Sequence, residues 1–152
     1  MSIYGYCRIS TAKQSIDRQI RNIKAEYPTA HIVQEAYTGT SITRPEWLKL
    51  YRILRAGDVV VFDSVSRMSR NAEEGFALYE DLYHKDIRLV FLKERHIDTE
   101  TYKKALSGSI AMTGTNVDFI LKGINEYLMA LAKEQIKLAF EQSENCLLYT
   151  SD

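Results

Sequence analysis

Hydroxyl and guanidinium side chains occur together in two segments that lie far apart in the chain. Tyr6, Arg8 and Ser10 are spaced two residues apart at the end of the first hydrophobic run. Arg67 and Arg70 follow a later hydrophobic run. Arginine is a permanent cation whose planar fork binds phosphate oxygens, and a serine hydroxyl can serve as a nucleophile. This combination predicts attack of a serine on a phosphodiester, which is the chemistry of DNA strand cleavage.

Spacing decides which of these side chains can meet. Side chains alternate between the two faces of a strand, so Tyr6, Arg8 and Ser10 would line one side. If the second segment opens a helix, Arg67 and Arg70 lie three residues apart on one face. We therefore expect both segments to converge on one anion site.

The rest of the chain alternates short apolar runs with helical patterns. The apolar runs predict strands at residues 3–8, 31–34, 59–62 and 88–92. Helices are predicted at residues 14–27, from Pro45 to a stop at Gly57, and at residues 72–84. Such alternation is typical of an α/β fold with a mostly parallel central sheet flanked by helices. In these sheets the functional site lies beyond the carboxyl ends of the strands, where both segments fall.

The last third of the chain departs from this alternation. Apolar residues recur at helical spacing and predict a C-terminal helix over residues 117–144, about 40 Å long. A helix of that length either packs across its own domain or buries its apolar stripe against a second subunit. We expect association, with Leu138 and Phe140 exposed in a single chain.

Composition narrows the class of protein. The 152 residues are enough for one domain, and no apolar run approaches the roughly 18 residues of a membrane span. Two isolated cysteines, Cys7 and Cys146, provide neither a disulfide framework nor a zinc-binding set, which suits a reducing cytoplasm. The formal net charge of zero argues against DNA binding over the whole surface, so local cation clusters would have to bind DNA.

Two motifs together resemble a known family. Residues 6–14, Tyr-Cys-Arg-Ile-Ser-Thr-Ala-Lys-Gln, resemble the nucleophile signature of the serine recombinases, the resolvase/invertase family. Residues 66–70 resemble its second arginine motif, residues 35–44 its active-site loop, and the C-terminal helix its dimer helix. The resemblance runs from residue 3 to about residue 144. It implies a site-specific DNA recombinase whose serine becomes joined to a 5′ phosphate without a metal or other cofactor.

The same resemblance implies partners and residue roles. The partners would be double-stranded DNA and further copies of the chain, as a homodimer that forms a tetramer in the synaptic complex. The catalytic residues would be Ser10 as nucleophile with Arg8, Arg67 and Arg70 as phosphate-binding arginines. The supporting or phosphate-binding residues would be Tyr6, Gln14, Gln19, Glu35 and Arg44.

The chain departs from the family pattern in three places. Ser66 stands where an aspartate is common, Ile53 beside Arg52 stands where many small resolvases have a lysine, and residues 99–116 form a longer insertion. The final residues 146–152 do not continue the helical pattern and back-translate to the transposase-end adapter of sequencing libraries. We therefore expect a catalytic domain over residues 1–145, a non-native tail, and a truncated chain without its DNA-binding domain.

Other functions remain open on sequence alone. One alternative is a non-catalytic, DNA-associated dimerisation module. Another is an α/β enzyme of phosphates or nucleotides such as a flavodoxin-like protein, although the chain has no glycine-rich phosphate loop. Taken singly, a serine at the position of Ser10 is more often a helix cap, and Arg67 and Arg70 would more often be solvated charges. The occurrence of both motifs in order favours catalysis.

Overall fold

Four strands form the central sheet of this computed structural model. The structure describes residues 1–9, 16–35, 44–69, 72–107 and 113–149, so the predicted site residues Ser10, Gln14 and Arg70 and most of the predicted active-site loop lie outside it. The strands are β1 (Ile3–Arg8), β2 (His31–Glu35), β3 (Val59–Phe62) and β4 (Arg88–Phe91). Their order is β2-β1-β3-β4 and every pair is parallel. The predicted fold class is confirmed.

In the described ranges, five α-helices connect and cover the strands. They are α1 (Asp17–Glu26), α2 (Pro45–Ile53), α3 (Ala72–His84), α4 (Thr99–Ser107) and α5 (Asp118–Tyr149). Two 3-10 turns, Val65–Arg67 and Arg95–Ile97, follow β3 and β4. None of the helices in the described ranges combines the length and the hydrophobicity that a membrane span requires.

The structure differs from the sequence expectations in some details. The segment that carries Arg67 forms a 3-10 turn instead of opening a helix, whereas α3 begins at Ala72 as predicted. Helix α2 ends at Ile53, while Gly57 lies in the turn into β3 with a φ of +93°, a conformation that favours glycine. The insertion over residues 99–116 contains α4, and α5 extends past the predicted end at residue 144.

Strand β3 lies at the centre of the core. All four of its side chains are buried, because helices cover both faces of a parallel sheet. Val60 and Phe62 face a large cluster formed with α2, α3 and α5, whereas Val59 and Val61 face a smaller cluster with α1. The core therefore holds the end of β3 in place, and the chain leaves the sheet there toward Arg67.

Strand β4 is an edge strand, and its outer N–H groups are covered by side chains. The Thr99 hydroxyl accepts the Leu89 N–H at 2.9 Å, and Asp98 Oδ1 accepts the Phe91 N–H at 2.7 Å. Unpaired edge groups are templates for association with other strands. The residues that lead into α4 thus close this edge and fix α4 against β4.

Helix α5 has two apolar faces. One face buries Ile136, Ala139 and Phe140 against the domain, and α5 contacts α3 and α4. The prediction that Phe140 is exposed is therefore wrong, since it is 2% exposed, whereas Leu138 is 44% exposed as predicted. The other face, here called the exposed stripe, consists of Ile120, Ile124, Tyr127, Leu128, Leu131 and Leu138. At about 100° per residue these six side chains fall within an arc of about 100°.

Candidate active site

The carboxyl end of β1 presents Arg8 at a position fixed by Gln19. Strand β3 pairs with β1 only as far as Tyr6, so the next main-chain groups of β1 need another partner. The side-chain amide of Gln19 supplies it, because its Oε1 accepts the Arg8 N–H at 3.0 Å and its Nε2 donates to the Arg8 carbonyl at 2.8 Å. Gln19 is buried, so the backbone of Arg8 is held firmly.

The segment after β3, residues 64–68, is here called the arginine turn. Two arginines from other elements donate to its main chain. Arg8 Nη2 donates to the Ser66 carbonyl at 2.6 Å and Arg8 Nε to the Arg67 carbonyl at 3.2 Å. Arg44 Nη2 donates to the Arg67 carbonyl at 3.1 Å and Arg44 Nη1 to the Met68 carbonyl at 2.6 Å. Three successive carbonyls thus bring the guanidinium groups of Arg8 and Arg44 to the backbone of Arg67.

A chain of hydrogen bonds links Arg44 to Tyr6 and Glu35. Arg44 Nε donates to the Tyr6 hydroxyl at 3.2 Å, and that hydroxyl donates to Glu35 Oε1 at 3.0 Å. The Arg44 guanidinium carbon also lies 5.2 Å from the centre of the Tyr6 ring and 5.6 Å from that of the Trp47 ring. Such distances are in the range of cation–π attraction.

Glu35 also caps helix α2. Its two carboxylate oxygens accept the main-chain N–H groups of Glu46 at 3.3 Å and Trp47 at 3.0 Å. Pro45, the first helical residue, has no N–H to satisfy. A negative charge at a helix N-terminus is favourable, which explains how Glu35 can be 3% exposed. One carboxylate therefore fixes the start of α2, the Tyr6 hydroxyl and, through it, Arg44.

Burial sets the protonation of two side chains of β1. It raises the pKa of Tyr6 to about 12, with Arg44 opposing the shift, so Tyr6 remains a neutral hydroxyl at neutral pH. Burial and the neighbouring Asp63 raise the pKa of Cys7 to about 12, which makes its thiol a poor nucleophile. The cations of the site are arginines, which keep their charge at any ordinary pH. This arrangement suits binding of phosphate oxygens more than proton transfer by Tyr6 or Cys7.

The structure brings together most of the predicted site residues that it describes. Arg8, Arg44, Tyr6 and Glu35 form one contact network with the main chain of Arg67, and Gln19 supports it from α1. Within the described ranges, no group of three histidine, cysteine or acidic side chains is placed to hold a metal ion.

Two contributors were missed by sequence reasoning. Trp47 packs against Tyr6 as well as Arg44, with ring centres 5.2 Å apart in the first pair. Glu94, which follows β4, accepts the Val65 N–H at 2.9 Å and so contacts the arginine turn. Pro45 indicates the start of the helix that contains Trp47. No sequence pattern predicts the contact between Glu94 and Val65.

Known proteins resemble this chain at the level of sequence. It is 30% identical over 99 residues to a resolvase of Clostridium perfringens, which covers 64% of this chain and 52% of that protein. It is 29% identical over 90 residues to the transposon Tn21 resolvase of Escherichia coli, covering 59% of this chain and 46% of that protein. The chain therefore spans about half the length of these relatives.

Solved structures resemble it in fold. A resolvase family site-specific recombinase from Streptococcus pneumoniae matches 100% of this chain and 99% of its own, with a TM-score of 0.51 and 18% identity. At that identity the likeness shows the fold alone. The sequence model described as "Resolvase, N terminal domain" matches residues 3–143. The resemblance drawn from the two motifs is thus confirmed, and the chain belongs to the resolvase family through its N-terminal domain.

Proposed function

We propose that this chain is the catalytic domain of a site-specific serine recombinase that cleaves and rejoins double-stranded DNA. The observation that carries the proposal is the meeting of Arg8 and Arg44 at the backbone of Arg67, at the carboxyl ends of β1 and β3. Ser10 follows Arg8 by two residues and is the proposed nucleophile, and Arg70 is the proposed fourth arginine. Membership of the resolvase family supports these assignments.

In the proposed reaction, a DNA phosphate is transferred from the 3′ oxygen of the cut strand to the serine oxygen. The Ser10 hydroxyl loses its proton as its oxygen bonds to phosphorus, and the bond from phosphorus to the 3′ oxygen breaks. The 3′ oxygen leaves as a hydroxyl after gaining a proton, and the 5′ phosphate remains esterified to the serine. Rejoining reverses these steps with a 3′ hydroxyl as the attacking group. Nearby arginines would stabilise the negative charge that grows on the phosphate oxygens.

The contacts of Arg8 and Arg44 suggest how these side chains are held in position before DNA binds. Both side chains now donate to uncharged carbonyls of the arginine turn. Hydrogen bonds to a charged phosphate oxygen are about twice as strong as those to a neutral acceptor. A DNA phosphate would therefore compete well for these donors without a large movement of the backbone.

The exposed stripe of α5 supports a homodimer, and we extend the proposal, on family resemblance alone, to a dimer that binds DNA and a tetramer in the synaptic complex. Six large apolar side chains along one helix face form a patch of a kind that monomers rarely leave uncovered. A parallel or antiparallel α5 from a second copy would cover it with the same residues. The same proposal puts the protein in the cytoplasm, encoded by a bacterium or a mobile element.

Covalent capture tests the proposed nucleophile. The chain would be incubated with a pool of duplexes of randomised sequence, labelled at their 3′ ends, and denatured before electrophoresis. Attack by serine leaves the labelled 3′ portion of the cut strand on the protein. We expect labelled protein with the wild type and with Thr11→Ala, and none with Ser10→Ala.

Two other results would redirect the proposal. An adduct that persists in Ser10→Ala but disappears in Thr11→Ala would move the nucleophile by one residue. DNA binding without any adduct in the wild type would favour the non-catalytic dimerisation module. Circular dichroism of each variant would show whether the fold is retained.

A further inference from the structure

We infer that Glu94 is a positioning residue for the arginine turn. Its carboxylate sets the conformation of residues 64–68, and thereby the place of Arg67 and of the carbonyls that Arg8 and Arg44 contact. This inference rests on the proposed function and adds to it a residue from the segment that follows the neighbouring strand β4.

Glu94 satisfies a group that the arginine turn leaves open. Val65 is the first residue of the 3-10 turn, so its N–H has no acceptor within that turn. Ser64 occupies the usual capping position, but its hydroxyl lies 2.7 Å from the hydroxyl of Ser66. Glu94 Oε1 accepts the Val65 N–H at 2.9 Å instead. The cap of the arginine turn thus comes from the segment that follows β4.

The main chain places Glu94 for this contact. Beyond the end of β4, the Leu92 N–H donates to the Phe62 carbonyl at 3.0 Å and the Lys93 N–H to the Asp63 carbonyl at 3.1 Å. The segment before Glu94 therefore runs alongside the segment that leads into the arginine turn. Because these hydrogen bonds hold residues 92–93 next to residues 62–63, the Glu94 side chain is long enough to reach the Val65 N–H.

Neighbouring side chains show that Glu94 has a separate role. Asp98 and Thr99 accept the outer N–H groups of β4 and close the sheet edge. Glu94 points to the opposite side, toward β3 and the arginine turn. Burial raises the pKa of Glu94, and the hydrogen bond from the Val65 N–H opposes that rise, so the two residues are coupled electrostatically as well as by geometry.

The test combines Glu94→Ala and Glu94→Gln with a control, Glu100→Ala. Glutamine keeps an oxygen acceptor for the Val65 N–H, whereas alanine removes it. Glu100 is an exposed acidic residue of the same region, with its carboxylate 3.8 Å from Arg88. Three quantities would be measured: amide hydrogen exchange of residues 65–68 by NMR, the rate of adduct formation with the randomised duplex pool, and the thermal midpoint.

We expect Glu94→Ala to raise exchange at Val65 and to slow adduct formation, each by about tenfold, the effect of losing one hydrogen bond to a charged group. Glu94→Gln should restore both to within about threefold of the wild type. Glu100→Ala should leave both unchanged. A merely structural role would instead lower the thermal midpoint and raise exchange throughout the domain.

Two results would overturn the inference. One is unchanged exchange at residues 65–68 in Glu94→Ala; the other is faster exchange there with an adduct rate equal to that of the wild type. If the wild type forms no adduct, the proposed function fails by itself. The guanidinium NMR signals of Arg8 and Arg44 then decide whether Glu94 positions the turn, since they should shift in Glu94→Ala and return in Glu94→Gln. Signals that do not move would refute it.

Discussion

The arginine turn and helix α5 differ in how far contacts within one chain pair their polar groups and bury their apolar side chains. Each carbonyl from Ser66 to Met68 accepts a hydrogen bond from an arginine of another element, and the Val65 N–H donates to Glu94. Along α5, one face is buried against the domain, but the exposed stripe leaves six large apolar side chains in contact with solvent. The polar groups of the turn are therefore paired within one chain, whereas part of the apolar surface of the helix stays exposed to solvent.

The physical reason lies in the cost of leaving each kind of group unpaired. A buried polar group without a partner costs about 1–3 kcal/mol, so the backbone around the arginines must be satisfied before any ligand arrives. Apolar surface in water costs less per atom and can remain exposed until a second surface covers it. The positions of the cations thus depend on the monomer, whereas the role of α5 is proposed to depend on a second copy.

The largest effect is expected at the arginine turn. Arg8→Lys should slow adduct formation by on the order of 100- to 1,000-fold, because an ammonium group cannot replace two donors held in one plane. Single-turnover adduct formation would measure it. Arg55→Lys, an exposed arginine next to α2, is the matched control and should retain the wild-type rate. Equal rates in Arg8→Lys and the wild type would mean that the carbonyl contacts of Arg8 are structural only.

The sequence predicted the strands around this site well. An unbroken β-branched run at residues 59–62 requires cover on both faces, and the structure buries all four side chains. Pro45 marked the start of α2, since proline suits the first helical position. These signals are local, and they were enough to bring Arg8 and the Arg67 segment to the same end of the sheet.

The contacts that complete the site could not be predicted in this way. Glu35 caps α2, and Glu94 caps the arginine turn, through bonds between residues 12 and 29 positions apart in sequence. Helix α4 was missed because its position depends on Asp98 and Thr99 holding the edge of β4. The exposure of Phe140 was predicted wrongly because a helix with two apolar faces does not reveal which one packs on its own domain.

The second prediction addresses the exposed stripe. Leu128→Glu should raise the dimer dissociation constant by about 100-fold, since a symmetric dimer would lose two buried leucines at about 1.5 kcal/mol each. Sedimentation over a range of concentrations would measure it. Phe119→Glu is the control, because Phe119 is apolar and 75% exposed but lies outside the stripe. A concentration-independent monomer in the wild type would show that the stripe serves another purpose.

The third prediction addresses the packed face of α5. A Cβ added at Gly75 would lie 2.5 Å from two ring atoms of Phe140, whose side chain is fully enclosed. Gly75→Ala should therefore lower the free energy of unfolding by about 1–3 kcal/mol. At Gly123 an added Cβ would meet no heavy atom of the described chain within 4 Å, so Gly123→Ala should stabilise by up to about 1 kcal/mol. Urea denaturation would measure the free energy of unfolding of both variants. If Gly75→Ala and Gly123→Ala change it equally, α5 does not pack against Gly75 in this way.

The smallest effect is expected from the charge of Glu94. Burial raises its pKa above the ordinary value of 4.5, against the opposing Val65 N–H, Lys93 and His96, while Asp63 adds to the rise. A carboxyl with a raised pKa in the folded chain stabilises fully below its unfolded pKa, and this contribution is lost as pH rises through the folded value. The free energy of unfolding of the wild type should therefore fall relative to that of Glu94→Gln as pH increases from about 4 toward 7. Asp98 titrates in both proteins, so its contribution cancels in the difference. Denaturation of both proteins across this range would measure the difference. If the free energy of unfolding of the wild type, minus that of Glu94→Gln, stays constant or increases with rising pH, the Glu94 carboxylate is not held against desolvation beside the arginine turn.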